Sequence, residues 1–230
     1  SGQGIALTPD SIYKGQLKEG RYSGQGQIWK KIDDESYQGA FLNGYYHGFG
    51  TWQNRDKKGR QNIYHGDLAF DKAHGQGMAI WANGEKYNGS WDKDYFHGQG
   101  TYTLSTGKRR SGNFDMGLLD DPNAKLEYED GSIYIGGYVR DTLHGRGVHT
   151  DADGSSTVEN WTNGYMNGDQ ITKDKEGTFY ESYKYDIPHG NFKDIYNDGE
   201  TKTYRMENGV VVGSVRIVTT NGKTYDCDNN

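Results

Sequence analysis

The sequence predicts an all-β fold, an elongated single-layer solenoid of stacked antiparallel β-hairpins. Three observations predict it: a unit that recurs about every 23 residues, aromatic side chains at fixed places within it, and glycine at its turns. The clearest unit is Asn83 to Tyr102, NGEKYNGSWDKDYFHGQGTY. Asn83-Gly84 is a turn signal, Tyr87-Asn88-Gly89-Ser90-Trp91 alternates between two faces, and His97-Gly98-Gln99-Gly100 is expected to reverse the chain before Thr101-Tyr102. One hairpin cannot bury its apolar face, so it must stack on copies of itself.

The copies run in register. With the first aromatic as position 1, that position falls at Tyr13, Tyr37, Tyr64, Tyr87, Arg110, Tyr134, Thr157, Phe179 and Lys202, and Tyr225 opens a further unit. Subtraction gives steps of 24, 27, 23, 23, 24, 23, 22 and 23. Position 3 is Gly15, Gly39, Gly66, Gly89, Gly112 and Gly136, and position 5 is bulky throughout, as in Phe41, Trp91 and Tyr138. Position 11 is His47, His74, His97, His144 and His189, each followed by glycine.

Tyr-x-Gly-x-Trp/Phe followed by His-Gly-x-Gly resembles the MORN repeat (membrane occupation and recognition nexus), from Tyr13 to Gly213. The resemblance implies a stack of about nine hairpins that tethers and scaffolds, clasping partner segments along its repeating aromatic surface. MORN arrays also precede lysine methyltransferase and lipid kinase domains, so an accessory recognition domain of a larger enzyme is one alternative. No catalytic sequence follows Tyr225, and the chain by itself is expected to be inactive.

The expected organisation is an N-terminal cap over residues 1–12, the array over 13–224 and a truncated repeat or tail over 225–230. Within the array, repeat 5 (110–133) is degenerate and repeats 7–9 diverge. Residues 54–61, NRDKKGRQ, lengthen one hairpin, and Asp120-Asp121-Pro122 replaces His-Gly, predicting a bend or widened turn. Val210 to Val218 is β-branched and reads as a terminal strand.

Leu, Ile, Val and Phe make up only 36 of 230 residues, a share that raises the question of disorder. Nineteen Tyr and five Trp answer it, because they bury large areas while tolerating a partly wet surface. A net charge of −6 argues against nucleic acid as a general partner. The single Cys227 forbids an intrachain disulfide, and a cytoplasmic address, membrane- or cytoskeleton-associated, is the default. The Ser1-Gly2 start reads as an expression scar, which hides any removed leader.

Neither a catalytic site nor a cofactor or metal is expected. The five position-11 histidines lie roughly 10 Å apart along the stack, too far to share an ion with ligands at about 2 Å. They are expected to hydrogen-bond to the next hairpin. Asp130-Gly131, Asp153-Gly154 and Asp198-Gly199 share one repeat position and read as turns. A partner segment, peptide or helix, is expected on Tyr37, Phe41, Tyr64, Tyr87, Trp91, Tyr134 and Tyr138, which share one strand face. The alternative is a tether to anionic membrane lipid through the basic turns Lys57, Lys58, Arg60 and Lys108, Arg109, Arg110. A homodimer through an open array end is a further partner class.

Overall fold

The computed structural model describes residues 2–228. These residues are β-structure throughout, with one 3-10 turn at Ile32–Asp34, and they divide into two compact units between Leu118 and Leu119. No helix among them is long and apolar enough to cross a membrane.

The first unit contains ten strands: β1 (Gly2–Thr8), β2 (Ser11–Lys18), β3 (Arg21–Lys30), β4 (Glu35–Leu42), β5 (Tyr45–Arg55), β6 (Gln61–Ala69), β7 (Lys72–Ile80), β8 (Lys86–Asp92), β9 (Tyr95–Thr103) and β10 (Arg109–Asp115). Each pairs antiparallel with the next. Strand β1 lies along the edge of the first hairpin with Gly2 opposite Leu17 and Thr8 opposite Ser11. Ser1 lies outside the described residues.

The reversal sits elsewhere than the motif implies. His97-Gly98-Gln99-Gly100 lies inside β9, and the chain turns earlier, at Lys93-Asp94, whose φ angles are 50° and 73°. Two consecutive residues at positive φ make the hairpin turn that matches strand twist. The motif glycine serves a bulge instead: Gly98 has φ 61°, and the β8–β9 register shifts between Gly89 and Trp91. The lengthened hairpin is as expected, with β5 and β6 extending to a turn at residues 56–60.

The facing glycines hold the first unit together on one face of its sheet. Gly15 opposes Gly26, Gly39 opposes Gly50, Gly66 opposes Gly77 and Gly89 opposes Gly100. The position-1 tyrosine of each repeat lies across its pair, so that a Cβ on Gly26 would stand 2.6 Å from Tyr13 Oη. The phenol then donates to the carbonyl three residues on: Tyr13 to Gln16 (2.7 Å), Tyr37 to Ala40 (2.9 Å), Tyr64 to Asp67 (2.6 Å) and Tyr87 to Ser90 (2.9 Å).

The second unit repeats the hairpins less evenly. Asp121–Glu127, Ile133–Val139, Thr142–Thr150 and Ser156–Thr162 pair in sequence, as do Gly168–Lys173, Gly177–Lys184, Gly190–Tyr196, Thr201–Glu207, Val210–Val218 and Thr224–Asp228. The anticipated distortion after Asp120 is a register shift between Asp121 and Ala124. Tyr225 stands opposite Ile217, so residues 224–228 form a strand in which Cys227 is exposed. Asn229 and Asn230 lie outside the described residues.

Gly100→Ala places a methyl group into the Tyr87 ring, whereas Gly2→Ala meets nothing within 4 Å. Chemical denaturation is expected to show Gly100→Ala destabilised by about 1–3 kcal/mol and Gly2→Ala nearly unchanged.

Candidate partner-binding groove

The tyrosine face is a lattice of rings. Position 10 of the repeat stacks on position 1, as in Tyr13–Tyr22 (3.8 Å), Tyr37–Tyr46 (4.0 Å) and Tyr87–Phe96 (3.8 Å). Position 5 meets the same tyrosine edge-on from its own repeat, Tyr37–Phe41 at 5.1 Å and Tyr87–Trp91 at 5.1 Å. The next repeat supplies a second edge, Tyr13–Phe41 at 5.2 Å, Tyr64–Trp91 at 5.4 Å and Tyr87–Phe114 at 5.5 Å. Stacked and edge-on rings are the favoured aromatic geometries.

Consequently the seven expected partner-binding residues are core. Tyr37, Phe41, Tyr64, Tyr87 and Trp91 in the first unit and Tyr134 and Tyr138 in the second retain 0–8% of their surface. Their period-two placement on one face is as the sequence implied, but with no second layer to cover them the rings cover each other. Burial pushes the Tyr37 and Tyr87 phenols up to about 12. Tyr134 Oη is buried without a hydrogen-bond partner.

Repeat 3 departs from this lattice. Ala73 occupies its position 10, and Ala79 stands opposite Tyr64, where Trp52 and Tyr102 stand opposite Tyr37 and Tyr87. A cavity of about 580 Å³ lies here, floored by Tyr64, Leu68, Ala73 and Ala79 and walled by Tyr46, Trp52, Trp81 and Trp91. Its charged groups and Asn62 are engaged within the fold. Lys30 binds Glu35 (2.8 Å), which also accepts from Tyr46 Oη (2.8 Å). Asn62 accepts from the Ala82 N–H (2.8 Å) and donates to Asn54 (2.8 Å). Asp71 and Asp94 accept the backbone N–H groups of Tyr46 (2.7 Å) and Ala73 (2.8 Å).

Five stretches match the MORN repeat family: residues 13–31, 37–57, 64–86, 87–109 and 134–156. These five stretches are MORN repeats. The matched stretches are repeats 1–4 and 6, which keep both the position-1 tyrosine and its glycine pair. No curated protein matches the sequence. Among solved structures, the chain is similar to the TCP domain of Drosophila melanogaster SAS-4 (dCPAP) in complex with a proline-rich motif of Ana2 (dSTIL). That match has 11% identity, covers 67% of this chain and 85% of that one, and has a TM-score of 0.44. The CPAP G-box domain matches at 12% identity over 90% of this chain and 100% of that one, TM-score 0.41. The TCP10 domain of Danio rerio CPAP with a STIL peptide matches at 12% over 99% and 100%, TM-score 0.34.

Successive MORN hairpins are stitched by residues whose role was not read from the sequence. Asp71 and Asp94, at φ 65° and 73°, donate their own N–H to the Tyr46 and Ala73 carbonyls (3.0 Å each) while accepting the N–H of the same residue. Asp186 in the second unit closes the same reciprocal pair with Met166. The signal was present as Asp alternating with Gly at one turn position, as in Phe70-Asp71 against Asn43-Gly44.

Four of the five position-11 histidines meet polar groups of the next hairpin. His74 meets Asp92 at 3.3 Å and His97 meets Asp115 at 3.7 Å, while His144 and His189 accept backbone N–H groups from Asn163 and Asn208 at 3.5 and 3.4 Å. His47 instead packs edge-on against Phe70, 5.0 Å between centroids. The Asp-Gly pairs are turns whose aspartate accepts a following N–H: Asp130 from Ser132, Asp153 from Ser155 and Asp198 from Glu200, each at 2.9 Å.

The basic clusters do not form uniform tips. Arg60 pairs with Asp56 at 2.8 Å, beside exposed Lys57 and Lys58. Strand β10 begins at Arg109, so Arg109 and Arg110 take opposite faces of the sheet, and burial lowers the Lys108 pKa.

Asp94→Ala leaves the Ala73 N–H without its carboxylate and is expected to cost about 1–3 kcal/mol by denaturation. Ultraviolet titration supplies a second check. Free tyrosine ionises near pH 10. Tyr37 and Tyr87 hold their protons to about 12, so the native state binds them more tightly. Their stabilisation is complete below about pH 10 and is lost as pH rises towards 12. Late-ionising tyrosines should appear together with loss of near-ultraviolet dichroism.

Proposed function

We propose that the chain is a binding scaffold that holds a segment of a partner protein against the tyrosine face of its first unit. The observation that carries this reading is the aromatic-walled cavity of about 580 Å³ at repeat 3. Its size is within the range of ligand sites, about 300–1,000 Å³. Because its charged groups and Asn62 are engaged internally, it offers mainly ring and aliphatic surface rather than a set of convergent hydrogen bonds. That chemistry suits the apolar side chains of a protein segment better than a polar metabolite. Protein is favoured over anionic lipid because Arg60 is paired with Asp56 and the Arg109 and Arg110 side chains diverge.

The half-buried walls Trp52 and Trp81 are the residues to test, since truncating Tyr87 or Trp91 would damage the core. In a pull-down from native lysate, Trp52→Ala/Trp81→Ala is expected to weaken capture about tenfold or more with the dichroism spectrum unchanged. Phe49→Ala, on the opposite face and 57% exposed, should capture as well as wild type. Equal loss in both variants, or none in either, would remove the groove from the reading.

A further inference from the structure

Within the first unit, two second-strand side chains of each repeat flank its position-1 tyrosine, one paired with the tyrosine and one paired with position 5. They are Tyr22 and Ile28 for Tyr13, Tyr46 and Trp52 for Tyr37, and Phe96 and Tyr102 for Tyr87. In repeat 3 both are alanine, Ala79 opposite Tyr64 and Ala73 opposite Leu68. A ring of its own repeat covers each of the other three tyrosines at 3.8–4.0 Å, and repeat 3 supplies none to Tyr64. Trp91 leans over Tyr64 edge-on at 5.4 Å and takes part of the space. The cavity is what remains.

We propose that this gap is the anchor point for the partner segment, and that the segment fills it with an aromatic side chain flanked by basic residues. The inference rests on the scaffold reading above and adds the chemistry of the occupant. An aromatic ring suits the gap because the missing group in the lattice is a ring. An incoming ring gains a stacked face on Tyr64 and edges from the indole walls, whereas an aliphatic side chain gains contact area alone.

Charge sets the flanks. The lining carries three carboxylates, Glu35, Asp71 and Asp94, against one amine, Lys30. Lys30 is already paired with Glu35, which leaves the two aspartates to attract cations. Lysine or arginine beside the ring would also find Trp52 and Trp81 as cation–π partners.

The test is an NMR titration of the full chain with three peptides: acetyl-Gly-Arg-Phe-Arg-Gly-amide, the same peptide with leucine for phenylalanine, and the same with glutamate for arginine. The phenylalanine peptide is expected to shift the Ala73 and Ala79 amides and the Trp52 and Trp81 indoles at millimolar concentration. It should bind about threefold to tenfold more tightly than the leucine peptide. The glutamate peptide should bind more weakly than either.

Ala73→Phe returns the missing ring, placed on Tyr64 as Phe96 is on Tyr87, and Ala79→Leu fills the other half of the gap. Ala73→Phe should raise the melting temperature by about 2–4 °C. Both variants should abolish the peptide shifts. No binding of the phenylalanine peptide, an equal response to phenylalanine and leucine, or peptide shifts that survive Ala73→Phe would overturn the anchor. A lowered melting temperature for both fillers would also overturn it, because the space would then already be full. Lysate capture that Ala73→Phe retains and Trp52→Ala/Trp81→Ala loses would sink the anchor and leave the scaffold standing. Absence of all capture would sink the scaffold, while the peptide results would still decide the chemistry of the gap.

Discussion

A tyrosine lying across a pair of facing glycines is the contact on which the rest of this fold depends. A single-layer sheet has no second layer to bury its apolar face, so its core must be made from side chains lying nearly flat upon it. Only glycine leaves room for that: at Gly15 and Gly26 the two strands present bare backbone, and the Tyr13 ring occupies the place of the missing Cβ atoms. Once the ring is down, its hydroxyl reaches the Gln16 carbonyl and its outer face becomes the platform for Tyr22. Glycine is costly in a strand because it gives up more backbone freedom on folding. The buried aromatic area that it admits offsets that cost.

The remaining devices keep successive hairpins in register around this core. On one edge of the first unit, Asp71 and Asp94 tolerate a left-handed backbone and close two hydrogen bonds onto the preceding repeat. The opposite face of the sheet is tied by a polar ladder, with Gln53 donating to Ser36, Gln76 to Ser90 and Thr51 meeting His65. These polar contacts are individually modest, and their value lies in specificity, because a slip of one residue would turn the tyrosines to the wrong face. The histidines add a further tie from each hairpin to the next.

A lattice this regular makes its exceptions informative. Repeats 1, 2 and 4 complete the cover on their tyrosine from their own sequence, and repeat 3 does not. The place where the array leaves its core open is also where Trp52 and Trp81 keep part of their surface and where acidic groups outnumber basic ones. The opening in this array comes from a local omission within its repeating core rather than from a separate loop or domain.

The sequence by itself determined the all-β class, the hairpin unit, the step near 23, and the face shared by positions 1, 3 and 5. Each of these follows from short-range periodicity, and alternation along a strand is enough to place Tyr87, Gly89 and Trp91 together. Tertiary structure alone decided whether that face was open or closed. Tyr37, Phe41 and Trp91 are buried because neighbouring repeats lay their rings on one another, a consequence of packing across strands that period-two logic does not contain. It also moved the chain reversal from His97-Gly98 to Lys93-Asp94, since a glycine at positive φ serves a bulge as well as a turn. Ala73 and Ala79 were legible as residues from the start, but the gap beside Tyr64 appeared only when the register set Ala79 against Tyr64 and Ala73 against Leu68, where their small size leaves a ring missing.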